Sequence, residues 1–174
     1  MKAARFWCMA VTAGLFLAAG ARAQDQPKPG PEHDVLKKLE GTWDATMSFA
    51  GMESKGTMVW KMDLGGLWLT SNFEGDFGGM KFHGRGFDSY DPMKKKYVAV
   101  WVDSMSTSPM TMEGTYDKDS KTLTMAGEGP GIDGKPTKHK MESQIKDDNT
   151  VVSKMSMGEG AGAMTFEIVY KRKK

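Results

Sequence analysis

The chain has 174 residues, with 24 Lys and Arg against 22 Asp and Glu. Three of the basic residues, Lys2, Arg5 and Arg22, lie in an N-terminal segment, which leaves 21 basic against 22 acidic residues beyond it. This near-neutral balance favours no role at a nucleic acid or at an anionic membrane surface. The one cysteine, Cys8, lies in the same segment, so disulfides, zinc thiolates and a thiol nucleophile are excluded from the rest of the chain.

The N-terminal segment has the pattern of a signal peptide. A basic start is followed by an apolar run from Phe6 to Gly20, which is short for a membrane span, and by the cleavage motif Ala21-Arg22-Ala23. A transmembrane anchor is the less favoured alternative, because no stop-transfer charge cluster follows. We therefore predict a signal peptide over residues 1–23, a disordered leader over 24–30 and a single domain over 31–174. The mature protein is then periplasmic or secreted, without a stable membrane anchor.

One helix is predicted, from Pro31 to Glu40. Pro31 suits a first helical turn and Gly41 suits the stop. Val35 and Leu36, with Leu39 one turn on, form an apolar stripe, and a helix this short must dock on something to be stable.

After Gly41 the apolar period changes to two, which is typical of half-buried strands. Nine clusters of turn residues interrupt the pattern at short intervals, so we predict about ten antiparallel strands in up-and-down order. Closure into a β-barrel would remove the exposed edges of such a meander. Residues 97–102 are apolar on both faces, which predicts either a central strand or one covered by the helix.

The helix, the motif Gly41-Thr42-Trp43 and the meander together resemble the calycin group, which contains lipocalins, fatty-acid-binding proteins and nitrobindin-like barrels. The resemblance implies an all-β, calycin-like barrel of about ten strands with one short N-terminal helix. It also implies that Trp43 packs across the closed end against a cation from the last strand, here Lys171 or Arg172.

A second resemblance is more specific. The sequence is similar to a bacterial family called domain of unknown function fifteen seventy-nine, which implies a fold and no activity. The matching stretches are Pro31-Glu32-His33 with Leu36 and Leu39, Gly41-Thr42-Trp43, Phe82-His83-Gly84, Tyr90-Asp91, Tyr97, Trp101-Val102-Asp103-Ser104, Gly114 and Tyr170-Lys171-Arg172.

Methionine is abundant, with 16 residues, and most of them alternate on the predicted inner faces of the strands. Three interpretations stay open: simple core packing, a soft cavity for a small ligand, and copper(I) binding by thioethers, for which Met110-x-Met112 and Met155-x-Met157 are candidates. The predicted pocket-lining residues share the inward parity and are Met47, Met58, Trp60, Met62, Asp88, Tyr90, Met110, Met112, Met125, His139, Met141 and Phe166.

The three histidines give a weak case for a cofactor. His139 shares the inward parity, as a haem or metal ligand would, but the favoured interpretation is a bond to a backbone carbonyl. The nitrobindin motif Gly-x-Trp-x-Gly-x-Gly is missing here, since Gly41-Thr42-Trp43 continues as Asp44-Ala45-Thr46. His83 is predicted to face solvent, and His33 to cap or pack. No cofactor is predicted, with haem and copper left open.

The acidic residues allow an enzymatic interpretation, in which Asp88, Tyr90 and Asp103 do acid–base work around the pocket. Turn chemistry explains Asp91-Pro92 and Asp103-Ser104 more simply, so no catalytic residue is predicted. The sequence therefore favours an exported module that binds a small apolar or amphipathic molecule. The alternative is a structural or interaction barrel with a filled core, and the oligomeric state stays open.

Overall fold

The computed structural model describes residues 26–174, apart from the side chain of Ala161, so the predicted signal peptide lies outside the described residues. Within residues 26–174 the chain forms one α-helix, ten β-strands and two short 3-10 turns, Leu64–Gly66 and Gly160–Gly162. The larger elements are α1 His33–Leu39, β1 Gly41–Phe49, β2 Met52–Asp63, β3 Trp68–Phe77, β4 Met80–Asp91, β5 Lys96–Asp103, β6 Met110–Asp117, β7 Thr122–Pro130, β8 Pro136–Asp147, β9 Thr150–Met157 and β10 Met164–Arg172. The predicted all-β class is confirmed.

The strands form a closed antiparallel barrel in up-and-down order. Each strand pairs with its neighbours in the chain, and β1 closes the barrel by pairing with β10, where Trp43 lies opposite Arg172 and Met47 opposite Ile168. Closure gives each of the ten described strands two partners, so none of them leaves an edge to pair with another chain. The predicted calycin-like barrel is confirmed.

Helix α1 is shorter than predicted, because residues 31 and 32 form a turn before it. His33 stabilises that turn: its Nδ1 accepts a hydrogen bond from the backbone N–H of Gly30 at 3.1 Å. The predicted apolar stripe is correct, with Val35 and Leu36 buried against β2 and β4. No helix in residues 26–174 combines the length and apolar character needed to cross a membrane.

Arg172, near the end of β10, ties the last strand to the helix. It donates hydrogen bonds to the backbone carbonyls of Lys38, at 2.8 Å, and of Glu40, and a third to Asp148 O at 2.7 Å. Its guanidinium carbon lies 4.1 Å from the centre of the Trp43 ring, a cation–π contact. Arg172 is thus the cation that the lipocalin-like motif implied, and it satisfies carbonyls that the helix end leaves open.

The best-packed part of the core lies at the barrel end that α1 covers, called here the helix end. The ring of Trp60 packs between two other aromatic rings there. Its centroid lies 5.7 Å from that of Trp43 and 4.9 Å from that of Tyr170. The side chains that fill this end are nearly inaccessible to solvent: Val35, Leu36, Trp43, Trp60, Leu69, Tyr97, Leu123, Val151 and Tyr170.

The outer face of β5 contradicts the expectation of a strand buried on both sides. Val100 and Val102 are 40% and 45% exposed. Helix α1 sits over one end of the barrel against β2 and β4, so it does not lie along β5. Of the two alternatives predicted for residues 97–102, cover by the helix is wrong, and β5 is a central strand that pairs with both β4 and β6.

Glycines in β4 make room for an aromatic ring inside the barrel. The indole of Trp101 lies against Gly84 and Gly86, and a Cβ built on Gly86 would lie 3.0 Å from its Cε3 atom. A Cβ on Gly84 would overlap the ring directly. The ring is also held at one side, because Trp101 Nε1 donates a hydrogen bond to Asp103 Oδ2 at 3.0 Å.

We expect Gly84→Ala to displace the Trp101 ring and to lower the free energy of unfolding by about 1–3 kcal/mol, the usual effect of overpacking. Urea unfolding and tryptophan emission measure the two effects. Gly162→Ala is the matched control, since a Cβ there meets no atom of the described residues within 4 Å. An unchanged emission spectrum in Gly84→Ala would contradict the packing described.

Candidate functional site

The inner surface of the barrel brings the twelve predicted pocket residues together. All lie on the inward parity of their strands. Five of them are buried: Met58, Trp60, Met112, Met125 and His139. The other seven keep some accessible surface: Met47, Met62, Asp88, Tyr90, Met110, Met141 and Phe166.

The two ends of the barrel differ. Most side chains at the helix end are buried, whereas most inward side chains toward the opposite end remain partly accessible, with Phe73 and His139 as buried exceptions. We call that half the distal lumen; its partly exposed residues are Met47, Phe49, Phe77, Phe82, Trp101, Met110, Met141, Met155, Met157, Met164 and Phe166. Most of its wall is apolar and aromatic, and a few polar residues such as Asp103 and His139 share the inward parity, which is the usual character of a small-molecule site.

Two grooves lie on the outside of the barrel. One, of about 490 Å³, crosses β7, β8 and β9 beside Lys138 and Lys140, and the other, of about 360 Å³, lies beside Lys154 and Glu167. Both are lined mainly by outward-facing residues, although Gly127 and His139, which have the inward parity, also border the first groove.

Asp88 is the acidic group that lies deepest inside the barrel. Its strand partners are Leu69 and Ala99, and Ser71 Oγ donates a hydrogen bond to Oδ2 at a long 3.4 Å. Burial raises the pKa of this carboxyl to about 7, and the bond from Ser71 offsets only part of that rise. No cation among the described residues counters the shift. Because the residue also keeps accessible surface, we infer that its carboxyl borders an internal space.

The other acids of the predicted cluster serve local structure. Asp91 Oδ1 accepts hydrogen bonds from the backbone N–H groups that follow it, and Asp103 accepts from Trp101 Nε1 and from Met105 N. Asp103 lies opposite Gly84, four residues from Asp88 along β4, which is about 13 Å. Asp88 and Asp103 are therefore not brought together as an acid–base pair.

Tyr90 shares the inner face with Asp88 but turns toward the helix end. Its ring meets Tyr97 and His33 edge to face, with centroids 5.2 Å and 6.5 Å away. Tyr97 in turn donates a hydrogen bond from its hydroxyl to Glu32 O at 2.9 Å. Tyr90 is thus part of the aromatic packing under the helix.

His139 and His83 lie as the sequence predicted, one bonded to a backbone carbonyl and the other facing solvent. His139 Nε2 is 3.2 Å from Pro130 O, so the predicted bond to a carbonyl is confirmed. His83 faces solvent, half exposed and 4.0 Å from Glu74. His139 Nδ1 is buried and has no hydrogen-bond partner among the described residues.

Sequence reasoning missed Ser71 and Ala99, which flank Asp88, and it did not include Met164 among the candidates. The signal was present but weak. All three have the inward parity of their strands, yet small side chains and a lone Met resemble ordinary core residues. Their proximity to Asp88 or His139 depends on which strands pair.

The strand order, the helix-covered end and the apolar lumen define a calycin-like β-barrel. The family described as "Protein of unknown function (DUF1579)" matches residues 28–172, and the chain belongs to that family. A comparison with curated proteins gives no match.

Among similar solved structures, the crystal structure of Rv2717c from M. tuberculosis shows the same fold. It is 14% identical, with a TM-score of 0.62 over 83% of this chain and 99% of that one. A de novo designed fluorescence-activating β-barrel is 15% identical, with a TM-score of 0.47 over 80% of this chain and 98% of that one. A redesigned barrel, b11L5F_LGL, is 13% identical with a TM-score of 0.46 over 80% and 96%. Only the fold follows from such identities.

Proposed function

We propose that this protein is an exported binding module that holds a small apolar or amphipathic molecule in the distal lumen. The observation that carries the proposal is the contrast between the two ends of the barrel. Most side chains beneath α1 are buried, while most apolar side chains toward the other end keep accessible surface. A pocket needs both a floor and an uncovered apolar wall.

Asp88 lies at the inner limit of the distal lumen, between Leu69 of the filled helix end and the Trp101 ring that Gly86 contacts, and it defines the chemistry expected of the ligand. A carboxyl without a cation partner among the described residues lowers stability, so its presence inside the barrel supports a role in binding. A ligand with an apolar body and one hydrogen-bond donor or amine would satisfy the carboxyl and cover the methionines. Unbranched Met side chains adapt to the shape of such a body.

A filled barrel without a ligand is the second candidate. It is favoured by the tight packing of the helix end and by the burial of Met58, Met112 and Met125. Native mass spectrometry and an absorbance spectrum of freshly purified protein distinguish the two. A bound lipid-like mass supports the binding module, and a bare chain that also takes up no apolar probe supports the filled barrel.

Ala99→Leu tests the lumen directly. Ala99 is inward-facing, partly accessible and opposite both Asp88 and Met112, so three added carbons would occupy the space beside the carboxyl. We expect at least tenfold weaker binding of a neutral fluorescent naphthylamine probe, about 1.4 kcal/mol. Ala126→Leu makes the same change on the exposed outer face of β7 and should bind as the wild type does. Equal binding by the two variants would argue against a ligand in the lumen.

Export is a separate part of the proposal and is supported by the N-terminal sequence. Cleavage after Ala23 would give a mature chain that begins at Gln24. Intact mass of the protein recovered from the periplasm or medium tests this, and full-length chain in the cytoplasm would contradict it.

A further inference from the structure

Two rows of side chains cross the inner face of β8, β9 and β10. In the row nearer the distal end, His139 lies opposite Met157, which lies opposite Met164. In the next row, Met141 lies opposite Met155. Cβ atoms of directly opposed residues are about 4.5–5.5 Å apart, so these rows bring one imidazole and four thioethers close together.

The orientation of the His139 ring leaves one nitrogen available. A carbonyl oxygen can only accept, so the 3.2 Å contact with Pro130 O requires the proton to be on Nε2. In the neutral ring, Nδ1 then carries a lone pair, and it has no hydrogen-bond partner among the described residues although His139 is 5% exposed. Metal-binding histidines are commonly oriented in this way, by donating their other N–H to a carbonyl.

The chemistry of these side chains indicates which metal ion they could bind. Within residues 26–174 no group of three or more His, Cys, Asp and Glu side chains could hold a metal ion, so zinc, calcium and magnesium lack their usual ligands. Thioethers are soft donors that prefer copper(I), and imidazole also suits copper. All of these donors are uncharged, which fits a monovalent ion better than a divalent one.

Pairing between strands also brings together enough sulfur atoms for one ion, which methionines on a single strand cannot do. Met155 and Met157 are two positions apart on β9, about 7 Å, which is too far for both to grip one ion without help. Met141 lies opposite Met155 and Met164 lies opposite Met157, so each neighbouring strand adds one sulfur to a row. The four methionines keep accessible surface, so an ion can reach them from the distal lumen.

We propose that His139, Met157 and Met164, with Met141 and Met155 in the adjoining row, form a copper(I) site at the distal end of the barrel. The site shares its four methionines with the wall of the distal lumen, but it does not require the apolar ligand. Ala99→Leu lies on β5, away from these strands, and should weaken probe binding while copper binding stays unchanged.

Anaerobic titration of the purified protein with copper(I), against a chromophoric chelator, tests the proposal. We expect one ion per chain, with nitrogen and sulfur neighbours in the copper absorption edge. The double variant Met157→Leu, Met164→Leu keeps side-chain volume and removes two sulfurs, so affinity should fall more than about tenfold. The control Met93→Leu, Met105→Leu changes two exposed methionines and should bind as the wild type does.

Circular dichroism confirms that both double variants fold before they are titrated. Failure of the wild type to hold copper(I) against the chelator would overturn the proposal. Equal affinities of the two double variants would overturn it as well, and a copper shell without nitrogen would remove His139 from the site.

Discussion

Replacing Trp43 with Ala is expected to lower the free energy of unfolding by about 3–5 kcal/mol, the range for removal of a fully buried large aromatic side chain. Trp43 is 1% exposed, and its ring contacts both Trp60 and the guanidinium of Arg172. Its Nε1 also donates a hydrogen bond to Leu39 O at 2.8 Å, so the substitution releases the end of α1. Such a loss is a large share of the roughly 5–15 kcal/mol that stabilises an ordinary domain.

Guanidinium unfolding followed by circular dichroism measures the effect. Trp68→Ala is the matched control, because Trp68 begins β3 on the outward parity and is only partly buried. We expect the control to lose clearly less stability than Trp43→Ala. Similar losses in the two variants would mean that the helix end is not the main packed core.

The second large effect concerns pH. Asp88 has a pKa near 7 in the folded protein against 3.8 in the reference state, so folding favours its protonated form. Below pH 4 the carboxyl is protonated in both states and stability is not reduced. Between pH 4 and pH 7 the unfolded chain releases this proton while the folded protein keeps it, so stability falls as pH rises. Above pH 7 both states are ionised and the loss is complete, on the order of 4 kcal/mol.

Asp88→Asn removes this titration while an amide can still accept the bond from Ser71. We expect the unfolding midpoint of the variant to equal that of the wild type near pH 4. As the pH rises to 8, the midpoint of the variant should exceed that of the wild type by a growing margin. Asp119→Asn, in the exposed turn between β6 and β7, should instead follow the wild-type profile. Asp117 and Asp147, whose pKa values are lowered by backbone N–H bonds, titrate in every variant and cancel in the comparison.

A stabilising Asp88→Asn substitution would also bear on function. A side chain that lowers stability at neutral pH is retained more readily when it contributes to binding. We therefore expect the same variant to bind an amine-bearing apolar probe less tightly than the wild type at pH 8, as measured by fluorescence titration. A variant that is more stable and binds equally well would leave Asp88 without a role in the pocket.

The period-two pattern was enough to predict the class, the approximate number of strands and the side of each strand that faces inward. Met58 and Trp60 illustrate the reason: alternation is a local property of extended backbone, and one buried face demands it. Turn residues such as Asp91-Pro92 marked strand ends for an equally local reason. The sequence also predicted that His139 bonds to a backbone carbonyl, but it did not predict that the carbonyl belongs to Pro130.

Alternation says which face a side chain occupies, but not its height in the barrel or its neighbours on other strands. Those depend on register, above all on the closure of β10 onto β1, which joins residues far apart in the chain. That closure placed Arg172 over Trp43. The register of β4 with β5 kept Asp88 apart from Asp103, and the register of β8 with β9 brought His139 beside Met157. The sequence by itself determined that the methionines face inward. The tertiary structure decided that, within residues 26–174, most of one end of that interior is filled and more of the other is accessible, because α1 covers only one end.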